Sequence, residues 1–331
     1  MKQRLVLFLF AGMLLAGCSA KDAALDDMDK VSLDDALSYS KRRNCNNLAW
    51  PDASNTGLPR GWRPKKTYAN YTMRNNEVLQ DVLVTGYISI PVSVKRCTIR
   101  RCRVRGDATI GFDRTVVWFQ NTEQPSVPGV NGDKTSILIE NCDIGPELGS
   151  LNPNDVDCGI AGCATNCTIR NNNIHDVVRG IDAMSHSLVE NNFLHEIWVT
   201  KDKSKHHDGV FIWGNSNNVT IKGNNIELLD EANTASIFMQ GAASRNVSIT
   251  NNRVTGGSYA IRLNFPNNGA GLGAGICTGN RVRRNPPDPG ARNPLGGDYG
   301  PASYWEFYPA VWTNNVWDDN DEPFTPVLVN W

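Results

Sequence analysis

The segments CTIRNNNI (residues 167–174) and SLVENNFL (residues 187–194) start 20 residues apart and match position for position, with an apolar residue third, Asn sixth and an apolar residue eighth. Six further segments fit the same eight-position template, beginning at Cys97, Ile137, Val219, Val247, Gly275 and Ala310. The third position runs Ile99, Ile139, Ile169, Val189, Ile221, Ile249, Cys277, Trp312, and the eighth Val104, Ile144, Ile174, Leu194, Ile226, Val254, Val282, Trp317. The sixth is Cys102 and Cys142, then Asn172, Asn192, Asn224, Asn252, Asn280 and Asn315. Intervals between starts vary from 20 to 40 residues, so a constant core is interrupted by loops of variable length, which excludes a heptad array.

Short apolar runs with period-two alternation, each followed by Asn or Gly, are the pattern of a strand and then a turn. In parallel register, like positions stack about 4.8 Å apart. Asparagines stacked at a turn can pass amide hydrogen bonds from coil to coil, and Asn tolerates the left-handed backbone that a tight turn demands. A second set of strands precedes the first: TVVWFQ from Thr115, GIAGC from Gly159, GIDAM from Gly180, GVFIW from Gly209, SIFMQ from Ser236 and AIRLN from Ala260. Two strand columns per coil describe a parallel β-helix running from about Val78 to the C-terminus.

This pattern resembles the right-handed β-helix repeats of the pectate-lyase-like superfamily. The resemblance implies an all-β, single-stranded right-handed parallel β-helix, and the handedness comes from it alone. The stretches WPDASNTGLPRGW (50–62), DVDCG (155–159), HHDGVFI (206–212) and YGPASYWEF with NNVWDD (between Tyr299 and Asp319) are similar to secreted β-helix proteins of actinobacteria and their phages. That likeness implies the fold and leaves the chemistry open.

The first residues, MKQRLVLFLFAGMLLAGCSA, have a basic start at Lys2 and Arg4 and an apolar run from Leu5 to Leu15. The run is too short to span a bilayer as a helix and reads as a secretory signal. Leu15-Ala16-Gly17-Cys18 resembles the bacterial lipobox, which implies cleavage before Cys18 and a lipid on that cysteine. The expected organisation is a signal over 1–17, a polar tether over 18–44 and a β-helix domain over 45–331. Capping-box spacing from Ser32 to Asp35 predicts a short helix from Leu33 to about Lys41, forming a cap as the tether ends. The aromatic-rich YGPASYWEFYPAVWTNNVWDDNDEPF is expected to close the last coil and blunt the open sheet edge, with Trp305 and Tyr308 as packing residues. Such a chain faces outside the cytoplasm, anchored to the cell envelope through Cys18 or secreted. With 33 basic and 34 acidic residues and no long basic run, nucleic acid is a poor partner.

Beyond Cys18 eight cysteines remain, and an exported chain permits disulfides. Cys158 and Cys163 flank a strand and would lie about 16 Å apart if it is extended, beyond disulfide reach. Cys102 and Cys142 share a column on neighbouring coils, where they either bond or stack as buried thiols.

Alternation in the second strand set places Ile181, Val210, Ile237 and Ile261 inside, and Asp182, Phe211, Phe238 and Arg262 outside. The next outward column is Met184, Trp213, Gln240 and Asn264. Aromatic rings outside a strand face suit the apolar faces of sugars, with Asp, Arg and Gln for the hydroxyls. The competing reading is a satellite core covered by a loop from the insertions. In register, Asp208 stacks beside Arg179, with Tyr259 two coils further along that column, and His186 and His195 are expected in turns of the neighbouring coil.

A uronate lyase removes a proton beside a carboxylate and needs a base plus a cation or calcium to stabilise the enolate-like charge. The expected catalytic set is His207, Asp208, His206 and Arg179, with Lys205 and Arg262 as further cations. The expected substrate-binding set is Asp182, Phe211, Trp213, Phe238, Gln240 and Arg262. Asp208 or Asp182 could orient a base or hold calcium, while no cofactor is called for outright. His206 and His207, being adjacent, point to opposite sides of an extended segment and make a weak metal pair. The bland alternative is a turn at Asp208-Gly209 with solvated histidines. The turn His206-His207-Asp208-Gly209 resembles the Asn-Thr-Asp-Gly turn of polygalacturonase-type hydrolases. The paired aspartates of that family would fall near Asn233 to Ser236, where this chain has Asn-Thr-Ala-Ser, so the two-carboxylate mechanism is not implied. Three function classes follow: an enzyme acting on a polysaccharide, more by elimination than by hydrolysis; a glycan-binding or adhesion protein using the same groove; and a structural spike of a phage-related or envelope assembly. The first two fit a monomer, and a homotrimer would favour the spike.

Overall fold

The computed structural model describes residues 49–106, 115–120, 136–147, 156–161, 166–197, 207–228, 234–240, 244–264, 272–284, 296–306 and 308–329. The signal, Cys18, the tether helix, Cys163, Lys205 and His206 lie outside these residues.

The chain divides into Met1–Ala49 and Trp50–Trp331. The second unit is an all-β, single-stranded right-handed parallel β-helix. Its named strands pair only in parallel and form three sheets of ten, ten and nine strands among the described residues. The chain visits the sheets in rotation: Asn225–Leu228 in sheet I, Ala235–Met239 in sheet II, Arg245–Thr250 in sheet III, then Arg253–Thr255 in sheet I again.

Three columns replace the two expected, because each eight-residue template holds two strands with a hinge between them. Its first four positions lie in sheet III and its last two in sheet I, as in Cys167–Arg170 and Asn173–Val177. The hinge is the fifth position. Arg101, Asn141, Asn171, Asn191, Gly223, Asn251, Gly279 and Asn314 all have φ between 49° and 67°. One left-handed residue per coil turns the chain while keeping the third and eighth side chains inward. Loops of variable length are confined to the other two corners, so this turn stays constant along the helix.

The sixth position carries the buried ladder. Asn192 donates its amide to Ile169 O and to Asn224 Oδ1, each at 3.0 Å, and its Oδ1 accepts from the Asn172 backbone N–H and from Asn172 Nδ2. All four hydrogen-bonding positions of that amide are used, so its full burial costs little. The pattern continues through Asn252 and Asn280 to Asn315. At the ladder's start Cys102 and Cys142 are free thiols, with Cys102 N–H 3.4 Å from Cys142 Sγ, so the stacked-thiol alternative holds.

Inside, one apolar core runs the length of the helix, built from the third and eighth template positions and from sheet II. At the corner entering sheet II two successive residues face inward, and Gly159, Gly180 and Gly209 occupy the first of them. A Cβ on Gly209 would lie 2.2 Å from Ile226 and 2.6 Å from the Ser236 carbonyl oxygen, so only glycine lets these coils stack. The last coil is closed as expected. Phe324 packs on Trp312 and Trp317, and Trp312 Nε1 donates to its carbonyl at 3.0 Å.

Candidate functional site

The paired inward residues at the sheet II corner leave two outward columns side by side. The first holds Cys158, Arg179, Asp208, Ala235 and Tyr259, and the second Asp182, Phe211, Phe238, Arg262 and Ser303. The register of Arg179 beside Asp208, with Tyr259 two coils on, is as expected. The exposure is not. His207 and Asp208 are 0 % exposed, and Phe211 and Phe238 are 3 % exposed. Phe211, Ala235 and Phe238 form a second apolar cluster, against which Trp213 and Trp305 pack. The expected open aromatic face is therefore a covered satellite core, and the predicted solvated histidine at 207 is enclosed.

Cations flank this cluster. The Arg179 guanidinium lies 5.4 Å from the Phe211 ring centre and 5.9 Å from that of Trp213, and Arg262 lies 5.3 Å from Phe238 and 4.8 Å from Trp305. Partly desolvated cation–π contacts of this kind contribute on the order of 1 kcal/mol each. Arg179 Nε also faces Asp182 Oδ1 at 2.8 Å, as a charge contact whose angle falls outside hydrogen-bond geometry. Burial pushes the Asp208 carboxyl up to about 8, a rise that Arg179 opposes and Asp182 reinforces. Asp208 is thus a neutral, enclosed acid at neutral pH, its carboxyl facing the Ala235 backbone of the next coil.

The third outward column stays accessible. Trp213, Asn264 and Trp305 are half-buried and Gln240 is exposed, the register sets these four on successive coils, and Trp305 packs against the cluster and Arg262 as expected while keeping part of its surface accessible. Met184, on the coil before, is buried. Trp213 Nε1 and Asn264 Oδ1 have no hydrogen-bond partner among the described residues.

A second polar cluster, which the sequence reading did not single out, lies on the outer face of sheet I. Arg103, Asp143 and Asn173 align on three coils. Asp143 Oδ2 accepts from Arg103 Nη2 and Asp143 Oδ1 faces His175 Nε2, both at 2.8 Å, while His175 Nδ1 faces Asp176 Oδ2 at 2.8 Å. Burial alone would lower the His175 pKa, but its two carboxylate partners more than offset this and raise it to about 9. Burial would likewise raise Asp143, and His175 with Arg103 holds it below the ordinary carboxylate range. His195 stacks on His175 at 5.4 Å. Burial, reinforced by the charge on His175, depresses His195 to about 4. His195 lies in the strand Phe193–Ile197 rather than in the expected turn, whereas His186 does occupy a turn, with φ 59°. The signal was available: Arg103, Asp143 and Asn173 fill the seventh template position, the outward one between two inward neighbours.

The segment 50–62 straps this face. Asn225 Nδ2 donates to Pro51 O, Gly57 N–H to Asn171 O, and Trp62 Nε1 to Arg101 O, so the strap crosses the sheet against the direction of coiling. Under it lies a cavity of about 240 Å³ bounded by the strap and by Arg103, Asp143 and Asn173.

No family model matches this chain, and neither a curated protein nor a solved structure matches it.

Proposed function

We propose that this chain is an envelope-held parallel β-helix that binds a glycan polymer without cleaving it. One observation carries the reading: the stripe Trp213, Gln240, Asn264 and Trp305 keeps accessible surface, while His207, an expected base, and Asp208, expected to orient a base or hold calcium, are enclosed. Trp213 and Trp305 are three coil steps apart, about 14 Å at ~4.8 Å per step, a span suited to a few sugar units lying along the helix axis. Two indole faces with two amides between them match the alternation of apolar ring faces and hydroxyls on such a chain. Behind the stripe, the Arg179–Phe211–Phe238–Arg262 packing makes a rigid bed, which lowers the ordering cost of binding.

The pectate-lyase-like resemblance of the repeats agrees with a polysaccharide ligand. Elimination is the weaker reading, because an enclosed neutral carboxyl neither accepts a substrate proton nor orients a base. Lipid on Cys18 would hold the protein at the cell surface, and Cys18→Ala should then release it from the membrane fraction into the soluble one. Trp213→Ala tests the binding stripe. It should weaken retention on a bound polysaccharide roughly tenfold or more, and because Trp213 also packs on Phe211 it should lower the melting temperature, so retention is compared at a temperature where both proteins are folded. Unchanged retention in Trp213→Ala and in Gln240→Ala would remove the stripe from the account.

A further inference from the structure

The chain Asp176–His175–Asp143–Arg103 alternates in sign and ends at the strapped cavity on a guanidinium. His175 is 3 % exposed and fixed between two carboxylates, so both oxygens of Asp143 are occupied. Arg103 differs. Its side chain is 41 % exposed, and only Nη2 is engaged by a described residue, which leaves the rest of its donor fork toward solvent and cavity. Asp143 thereby orients the guanidinium, and the imidazolium behind it offsets the carboxylate charge.

The strap's end, RGWRPKK (60–66), carries Arg60, Arg63, Lys65 and Lys66 without an acidic residue, and all four are exposed. Pro59 and Trp62, which alternate with these cations, line the cavity together with Leu58. Of the four, Lys65 is paired with Asp81 at 2.9 Å. One wall of the cavity is thus apolar and aromatic, and Arg103 is the cation in its lining. At about 240 Å³ the space falls below the roughly 300–1,000 Å³ of drug-sized pockets, so it takes one ring rather than a chain.

We propose that the strapped cavity on sheet I binds a single anionic sugar residue, its acidic group on the Arg103 fork and its ring against Trp62. The inference rests on the glycan-binding reading and adds a charge requirement to it: the polymer that lies on sheet II, or one of its branches, carries acidic sugars. Carboxylate and phosphate on a sugar share the chemistry that the fork recognises.

Titration calorimetry on the signal-free protein with glucuronate, glucose 6-phosphate, glucose and inorganic phosphate tests it. At least one of the two charged sugars should bind, and glucose should bind at least about tenfold more weakly, the value of a charge-assisted hydrogen bond. Arg103→Gln should cost the charged sugar roughly tenfold to a hundredfold in affinity. Leu58→Trp, which fills the cavity and leaves every ion pair in place, should abolish binding and guards against a misfolded Arg103→Gln. Glucose binding as tightly as the charged sugars, inorganic phosphate binding as tightly as either, or full binding by Leu58→Trp would each overturn the assignment. If no charged sugar binds while the unaltered protein is still retained on a polysaccharide, the cavity inference falls alone; if retention also fails, both readings fall.

Discussion

Asp208 is an acid that this fold holds uncharged. Its pKa is raised in the folded state to about 8, against 3.8 for the free group, so the folded protein binds more protons than the unfolded chain between those values. Stability associated with the group is therefore fully present below about pH 4 and is lost as pH rises toward 8. Asp208→Asn removes that dependence. It should match the parent near pH 4 and exceed it in melting temperature by a margin that grows up to pH 8, on the order of a few kcal/mol there. A variant that is instead less stable at pH 8 would mean an ionised Asp208 paired with Arg179. Strand alternation correctly put Asp182, Phe211, Phe238 and Arg262 on the outer side of sheet II. It could not reveal that the first three are covered, because burial by packing from elsewhere leaves no trace in the period of a strand. Arg103 and Asp143 were legible in principle, but only once the seventh template position is read as a column of its own, and His175 lies one residue beyond the template.

At the scale of elements, the hinge and the ladder that follows it define every coil. Third and eighth positions were readable because apolar residues recur there on all eight coils. Sheet I was harder to see, since strands such as Arg103–Val104 and Asp143–Ile144 are two residues long and merge with the preceding strand of sheet III into one apparent segment. Paired asparagines read as one turn, although they perform two tasks: the fifth adopts the left-handed conformation and the sixth carries the ladder. Their separation predicts different costs. Asn224→Ala deprives the Asn192 backbone N–H and Nδ2 of acceptors and the Val189 carbonyl of a donor. Two or three buried groups losing partners should cost about 3–5 kcal/mol. Asn191→Gly, at a φ of 54° and solvent-accessible, should change stability by less than about 1 kcal/mol. Urea unfolding of both variants compares them directly, and equal losses would contradict the division of labour.

For the whole molecule, the stacked coils give a rigid body on which two differently built surfaces face outward: a partly aromatic stripe on sheet II and a strapped cavity on sheet I that Arg103 and Asp143 line. The C-terminal plug formed by Trp312, Trp317 and Phe324 packs over the last coil, so the two proposed binding surfaces are lateral rather than terminal. The central claim is binding without turnover, and one measurement addresses it. The signal-free protein is incubated with a panel of uronate-containing and neutral polysaccharides, with and without calcium, while retention, ultraviolet absorbance of unsaturated uronate and new reducing ends are followed together. Retention on at least one polymer with both product signals flat is the predicted result. Absorbance and reducing ends rising in step would contradict it and establish elimination, and reducing ends alone would establish hydrolysis.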